Sequence, residues 1–229
     1  LATLKFRQAQ SHRLVADWIA TRKRFFLFPL QLDSDAQVRI HSPYGRMLPA
    51  IEAVLRNFAR HAPADTHLLI KNHPLDNAWV SYRRHIRRLA RTLGLGGHIA
   101  FIEGGDIEAL VDHAVGTIVL NSTVGLTAAF RNRPVVCLGP SLFDLAGLPA
   151  PQPLSAFWHD PPFPDAALCR DYLAVITAAC LVNGNFYTEG GVKAAVAGSL
   201  ARILDDSDLL ADAPKRRKRI EEYKTRAAA

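Results

Sequence analysis

Apolar segments rich in β-branched and aromatic residues alternate along this chain with segments whose apolar residues recur every three or four positions. Five segments of the first kind predict strands: FFLFPLQL (25–32), THLLIKNHP (66–74), HIAFIEGG (98–105), GTIVLNSTVG (116–125) and PVVCLGP (134–140). Four segments of the second kind predict helices at 47–62, 78–95, 106–114 and 124–132. Such alternation predicts an α/β fold: a Rossmann-like parallel sheet with helices on both faces.

The pattern loosens after position 140 and then resumes as helical spacing. A proline-rich stretch occupies 149–165, and helices are predicted at 165–182 and 190–205. We therefore expect a Rossmann-like domain over 25–205 and a basic carboxyl-terminal tail over 206–229. Residues 1–24 lack the apolar centre of a signal peptide, and we interpret them as a linker or the remnant of a missing amino-terminal domain.

The net charge favours anionic partners but does not distinguish among them. The 229 residues carry a net charge of +7, which favours nucleic acid, anionic lipid or negatively charged sugar nucleotides. Much of the excess lies in RRHIRRLAR (83–91) and KRRKR (215–219), both of which are most simply solvated helix faces. Three irregularly spaced cysteines, with Cys137 in an apolar run, indicate no disulfide framework and a reducing compartment.

Polar residues collect where the predicted strands end. In open parallel sheets ligands bind in the crevice beyond the carboxyl ends of the strands, so these positions are the candidate site. They are Gln31, Asp33, Ser34 and Asp35; Lys71, Asn72, His73 and Pro74; Glu103 and Gly104; and Asn121, Ser122 and Thr123.

Two of these strand ends suit a phosphate. Lys71 and His73 offer an ammonium and an imidazole, while Asn121-Ser122-Thr123, with Gly125, resembles a helix start whose hydroxyls and amides accept anions. Each has a plainer interpretation, since a histidine often bonds a loop and Ser or Thr often caps a helix. Both devices at one sheet edge favour a nucleotide.

The sequence lacks the motifs typical of ATPases, dinucleotide-dependent dehydrogenases and metal-dependent enzymes. The chain has neither GxxxxGK[ST] nor GxGxxG, and no His and carboxylate spacing typical of a metal site. We expect no metal and no cofactor. Basic residues are not interleaved with aromatic platforms, so a nucleic-acid partner is not expected.

The loop after the first strand is dense in hydrogen-bonding groups. Asp33 and Asp35 lie there beside Gln31 and His41, and Glu103 ends the third strand. A carboxylate in this loop suits a nucleophile or the stabilisation of an oxocarbenium-like transition state. The choice between the two aspartates stays open.

FFLFPLQLDSDAQVRIHSPYG, KNHP and LNSTVG, in this order between Arg24 and Gly139, resemble the signature regions of the bacterial KpsC/KpsS capsule-synthesis family. The resemblance implies the carboxyl-terminal, donor-binding half of a two-domain GT-B glycosyltransferase that transfers Kdo from CMP-Kdo to a phosphatidylglycerol-derived lipid. The His-Pro and Ser/Thr motifs are also similar to those of bacterial sialyltransferases, which implies that His73, Ser122 and Thr123 bind the CMP phosphate.

The same resemblance sets expectations about location and partners. It implies a cytoplasmic protein, peripheral on the inner face of the cytoplasmic membrane, that meets CMP-Kdo, a lipid acceptor and capsule ABC transporter components. Without an acceptor domain, donor binding without turnover is an expected outcome. Two alternatives stay open: a non-catalytic export or assembly component, and a sugar-nucleotide epimerase of GT-B fold, which would prefer UDP.

Overall fold

The computed structural model describes residues 2–77, 79–145, 147–150 and 152–204, with side chains from Gln8 onward. The chain divides into two compact units, Leu1–Ala166 and Ala167–Ala229. The predicted basic tail at 206–229, with KRRKR at 215–219, lies outside the described residues. The predicted domain boundaries at 24 and 205 stay predictions.

The first unit holds all five strands of the sheet. They are β1 (Phe25–Pro29), β2 (His67–Lys71), β3 (Ile99–Ile102), β4 (Gly116–Val119) and β5 (Val135–Cys137). Its helices are α1 (Ala2–Ala20), α2 (Ala36–Arg39), α3 (Met47–His61), α4 (Tyr82–Thr92), α5 (Ile107–His113), α6 (Val124–Phe130) and α7 (Leu154–Phe157).

Every strand pairing is parallel, in the order β3-β2-β1-β4-β5. Leu27 of β1 lies opposite Leu69 of β2 on one side and Thr117 of β4 on the other. The parallel α/β fold predicted from the sequence is thus confirmed. The chain builds outward from β1 to β3 and then returns to place β4 beside β1, so the order reverses there and leaves a crevice at their carboxyl ends.

Helices cover both faces of the sheet because its strands are apolar on both sides. On one face, Phe26 packs edge-on against Trp158, with ring centroids 4.9 Å apart, in a buried cluster that includes residues of α3 and α4. On the other face, Trp18 of α1 packs against Phe25 at 5.6 Å. Periodicity had not predicted α1, which nevertheless buries Val15 and Trp18.

Three local features differ from the sequence-based expectations. The helix predicted at 78–95 begins only at Tyr82, since Asn77 Oδ1 accepts a hydrogen bond from the Trp79 amide (3.3 Å) and holds a turn before it. The loop after β1 contains the short helix α2, and the proline-rich stretch contains α7. Cys137 is only partly buried, and burial raises the pKa of its thiol to about 11.

The second unit contains the helices α8 (Ala166–Ala179) and α9 (Glu189–Leu204). The Arg202 guanidinium donates to the carbonyls of Ala178 (3.0 Å) and Ala179 (3.3 Å), which satisfies acceptors at the carboxyl end of α8. Across the described part of the chain, no helix combines the length and the apolar composition needed to cross a bilayer.

Candidate functional site

The carboxyl ends of β1, β2 and β4 open onto a cleft of about 700 Å³. Nine of the strand-end residues predicted from the sequence line it: Gln31, Asp35, Lys71, Asn72, His73, Pro74, Asn121, Ser122 and Thr123. They come from three segments, and Gln31 and Thr123 lie 92 positions apart in the sequence. The parallel sheet brings them together. We call this depression the strand-end cleft.

Lys71 is a buried cation in this cleft. It ends β2 with 8% of its surface exposed, and Nζ donates to the Asn72 carbonyl at 3.4 Å. None of the ion pairs found among the described residues includes Lys71. Burial accordingly lowers the pKa of its ammonium. A buried charge without a counter-ion is costly, and an anion in the cleft would offset that cost.

The tautomer of His73 is fixed by a hydrogen bond within its own loop. Its Nδ1 accepts a hydrogen bond from the Leu75 amide at 3.1 Å, which leaves the proton of the neutral ring on Nε2. Burial and the charge of Lys71 lower the pKa of His73, partly opposed by Asp35 and Asp76. The imidazole is therefore suited to donate a neutral hydrogen bond, while Lys71 supplies the positive charge.

Asn121 holds the walls of the cleft together. Its Oδ1 accepts from Gln31 Nε2 at 3.0 Å, and its Nδ2 donates to the carbonyls of Gln37 (2.9 Å) and His41 (3.2 Å). These contacts occupy the amide, so Asn121 positions the loop after β1 against the end of β4. The buried Oε1 of Gln31 has no hydrogen-bond partner among the described atoms.

The segment after β4 offers hydroxyl groups at the entrance of α6. Ser122 Oγ accepts from the Val124 amide at 3.2 Å, and Thr123 is exposed at the cap position without a side-chain cap bond. Since α6 has only seven residues, its dipole adds little, and the hydroxyls are the more useful donors. Gly125 lies outside the lining of the cleft; a Cβ there would overlap the Phe143 ring, so packing requires this glycine.

The two candidate aspartates have separate surroundings. Asp35 lines the cleft, and its Oδ1 accepts from the Gln37 amide at 2.8 Å to cap α2. Asp33 lies outside the lining; its Oδ1 accepts from the Met47 amide at 2.7 Å, and it also hydrogen-bonds Tyr82. Asp33 thereby caps α3, whose own cap residue Arg46 makes no such bond. The geometry favours Asp35 as the carboxylate that meets a ligand.

Two further candidates do not reach the strand-end cleft. His41 is exposed outside its lining and contributes a carbonyl to Asn121. Glu103 pairs through Oε1 with Arg83 Nε at 3.2 Å and lines a different depression beside α4. The sheet edge as a whole was predictable, but the direction of each side chain along it depends on partners distant in sequence.

Asp106 and Leu142 line the cleft and were not among the sequence-based candidates. Asp106 directly follows the third strand segment, and its Oδ1 accepts from the Glu108 amide at 3.1 Å at the start of α5. An acidic helix cap at a strand exit was the signal that could have found it. No group of three or more His, Cys, Asp or Glu side chains within the described ranges could hold a metal ion.

Comparison with known proteins identifies relatives among capsule polysaccharide proteins. The sequence profile described as "Capsule polysaccharide biosynthesis protein" matches residues 1–187. The chain is 35% identical over 167 residues to the capsule polysaccharide modification protein LipB of Neisseria meningitidis, which covers 72% of this chain and 40% of that protein. It is 33% identical over 165 residues to the capsule polysaccharide export protein KpsS of Escherichia coli, covering 72% and 42%.

Among solved structures, the chain is similar to the "beta Kdo 2,7 transferase" of Thermosulfurimonas dismutans KpsC, with a TM-score of 0.42 and 21% identity over 63% of this chain and 46% of that one. The chain spans about two fifths of the length of the curated relatives it matches.

Proposed function

The chain belongs to the capsule polysaccharide biosynthesis protein family, and from this premise we propose that it is the donor-binding half of a glycosyltransferase that uses CMP-Kdo. Kdo would pass to a phosphatidylglycerol-derived lipid acceptor during capsule assembly. The observation that carries the proposal is the buried Lys71 ammonium, which has no carboxylate partner in the described chain and lies in the strand-end cleft.

The cleft suits a leaving phosphate better than a neutral sugar alone. Lys71 supplies the charge that a CMP phosphate requires, and His73 supplies a hydrogen-bond donor from Nε2. The Ser122 hydroxyl uses its oxygen to accept from Val124, which leaves its proton for a ligand. A preformed set of donors in a half-buried site stabilises negative charge without reorganising during the reaction.

The reaction breaks the bond between the anomeric carbon of Kdo and a phosphate oxygen, and its electron pair stays with CMP. Lys71 and His73 stabilise the negative charge that grows on that phosphate. The acceptor hydroxyl forms a new bond to the anomeric carbon, and its proton passes to solvent water. Asp35, at the edge of the cleft, stabilises the positive charge that develops on the sugar ring.

The proposal extends to the protein of which this half is part. Because the chain spans only 40% and 42% of its two relatives, a second Rossmann-like domain in a GT-B arrangement would carry the acceptor site. Work at the inner face of the cytoplasmic membrane, beside capsule transporter components, fits the family and the net charge of +7.

Calorimetric titration of the purified chain with CMP and with UDP tests donor recognition. We expect CMP to bind more tightly than UDP, and His73→Ala to weaken CMP binding roughly tenfold through loss of a charge-assisted hydrogen bond. His85→Ala is the matched control, since His85 pairs with Glu52 away from the cleft. Preference for UDP would favour an epimerase, and an unchanged affinity in His73→Ala would remove the phosphate site.

Consumption of CMP-Kdo by the chain restored to the length of its relatives tests catalysis. Asp35→Asn should lower turnover at least a hundredfold, as expected for a charge at the reacting centre. Asp33→Asn should act mainly on folding stability, because Asp33 caps α3. Donor binding without any turnover would instead favour a non-catalytic assembly role.

A further inference from the structure

Five arginines occupy one face of α4. They are Arg83, Arg84, Arg87, Arg88 and Arg91. At 100° per residue this spacing confines them to an arc of about 140°. The opposite side of the same helix is buried in the core through Tyr82, Ile86, Leu89 and Ala90. The packed side fixes the helix, so the arginine side faces outward as a continuous strip.

Most of this positive charge is uncompensated. Arg83 pairs with Glu103 and lies 5.0 Å from the centre of the Phe101 ring. Arg84, Arg87, Arg88 and Arg91 take part in none of the ion pairs among residues that the structure describes. All five line a depression of about 550 Å³. Like charges one turn apart destabilise a helix, so this arrangement opposes folding unless an anion meets it.

Exposed apolar side chains precede the arginine strip in the chain. Trp79 is 89% exposed and Leu75 is 76% exposed, and Val80 is exposed to a smaller extent. The bond from the Trp79 amide to Asn77 Oδ1 fixes the turn that carries Trp79, and the bond from the Leu75 amide to His73 Nδ1 holds Leu75. Tryptophan concentrates at membrane–water interfaces, where one part of its ring is apolar and another is wet.

These two features together point to one kind of partner. A row of guanidinium groups alone would suit any polyphosphate, including RNA, whose bases also stack on exposed aromatic rings. The exposed aliphatic side chains of Leu75 and Val80 give RNA neither a charge nor a stacking surface. An anionic phospholipid surface matches both, since it offers phosphates to the arginines and an acyl boundary to the apolar groups.

We propose that this α4 surface, formed by the five arginines with Leu75, Trp79 and Val80, docks onto an anionic phospholipid bilayer. The arginines bind headgroup phosphates, and Trp79 with Leu75 enters the interface. Asn72 lines both the α4 depression and the strand-end cleft, so docking brings the cleft next to the headgroups. A role for this proximity in transfer to a lipid acceptor rests on the proposed function, whereas lipid binding by the α4 surface does not.

Co-sedimentation of the purified chain with vesicles tests the docking. We expect binding to vesicles of phosphatidylglycerol and phosphatidylcholine, and none to phosphatidylcholine alone. Arg87→Gln with Arg91→Gln should lower the partition coefficient roughly tenfold or more, because each arginine near an anionic surface contributes separately. The control is Arg56→Gln with Arg60→Gln on α3, which removes the same charge at the same spacing and should change partitioning less than twofold.

Tryptophan fluorescence gives an independent readout. Of the three tryptophans, Trp18 and Trp158 are buried, so quenching by acrylamide in water reports Trp79. Anionic vesicles should protect this emission and shift it to the blue, and Trp79→Ser should remove both effects and weaken binding severalfold. Because these variants change exposed side chains, unaltered circular dichroism should accompany each of them.

Three outcomes would overturn the proposal: equal binding to neutral vesicles, equal losses in the α3 control pair, or Trp79 still quenched by acrylamide when vesicles are bound. RNA binding of equal strength, whether or not it needs Trp79, would also overturn it. Vesicle binding is measured without nucleotide and CMP binding without vesicles, so failure of either leaves the other result intact.

Discussion

The strand-end cleft and the α4 surface are both cationic, but the charge is buried in the cleft and exposed to solvent on α4. Lys71 is a single ammonium withdrawn from water at the end of β2, whereas the arginines of α4 share one solvated face. Two opposite unit charges 4 Å apart attract by about 4 kcal/mol at the effective dielectric constant of a protein site and by about 1 kcal/mol in bulk water. One buried charge can therefore bind a specific anion strongly. Exposed charges each contribute little binding energy, so several must act together.

The largest expected effect is on CMP affinity, when one positive charge is removed either from the strand-end cleft or from the α4 surface. Lys71→Met should weaken CMP binding a hundredfold or more, about 2.7 kcal/mol, because a half-buried phosphate loses its counter-ion. Arg88→Met removes the same charge from the α4 surface and should change CMP affinity less than twofold. Calorimetry on both variants measures this, and similar losses in the two would erase the distinction between the regions.

Salt provides a second contrast, of intermediate size. Raising ionic strength from about 0.05 to 0.5 M shortens the screening length to a few ångströms, so vesicle binding through exposed arginines should fall at least tenfold. CMP binding in the cleft should fall by only a few fold, since protein shields that contact from the solvent. Parallel titrations across this range provide the measurement, and an equally steep fall for CMP would mean that its phosphate sits at the surface.

Lys71→Met should stabilise the fold although it weakens CMP binding, and the change in stability should be the smaller of the two. Because Lys71 is a buried ammonium with no carboxylate partner in the described chain, Lys71→Met should raise the free energy of unfolding by roughly 1–2 kcal/mol near neutral pH. Lys193→Met in exposed α9 is the control. Denaturant unfolding measures both variants, and a destabilised Lys71→Met would mean that the ammonium already has a compensating partner.

The pH dependence of that difference has a definite sign. Burial lowers the pKa of Lys71 below its ordinary 10.5, so between the two values the unfolded chain binds more protons than the folded one. The stability of the unaltered protein should rise with pH through that window, and the advantage of Lys71→Met should shrink. Over the same window CMP binding should weaken, whereas vesicle binding should stay constant because arginine keeps its charge.

The sheet could be predicted from the sequence because its strands carry strong local signals. All five predicted strands form, and the polar residues at three of their ends reach one cleft. The start of α4 could not be placed, since an Asx turn at Asn77 competes with helix there. The helix α1 was missed because, among its side chains from Gln8 onward, the apolar residues buried in the core are Val15 and Trp18 near one end.

Individual site residues were harder to predict, for reasons visible in their partners. Asp33 and Asp35 look equivalent in the sequence, but Asp33 caps a helix that begins 14 residues later. Gly125 resembles a phosphate-binding glycine, yet the ring of Phe143 explains it. Glu103 is drawn to Arg83 on α4. Each distinction depends on a tertiary contact that no local pattern encodes.

The hydrogen bonds of Asn121 also set when the cleft comes into being during synthesis. They join residue 121 to the side chain of Gln31 and the carbonyls of Gln37 and His41, across 80 to 90 positions of chain. At roughly 5–20 residues per second, a ribosome adds that many residues in about 4–18 s. Throughout that interval β1 and its loop exist without the strand that completes them, so the nascent chain has no assembled strand-end cleft.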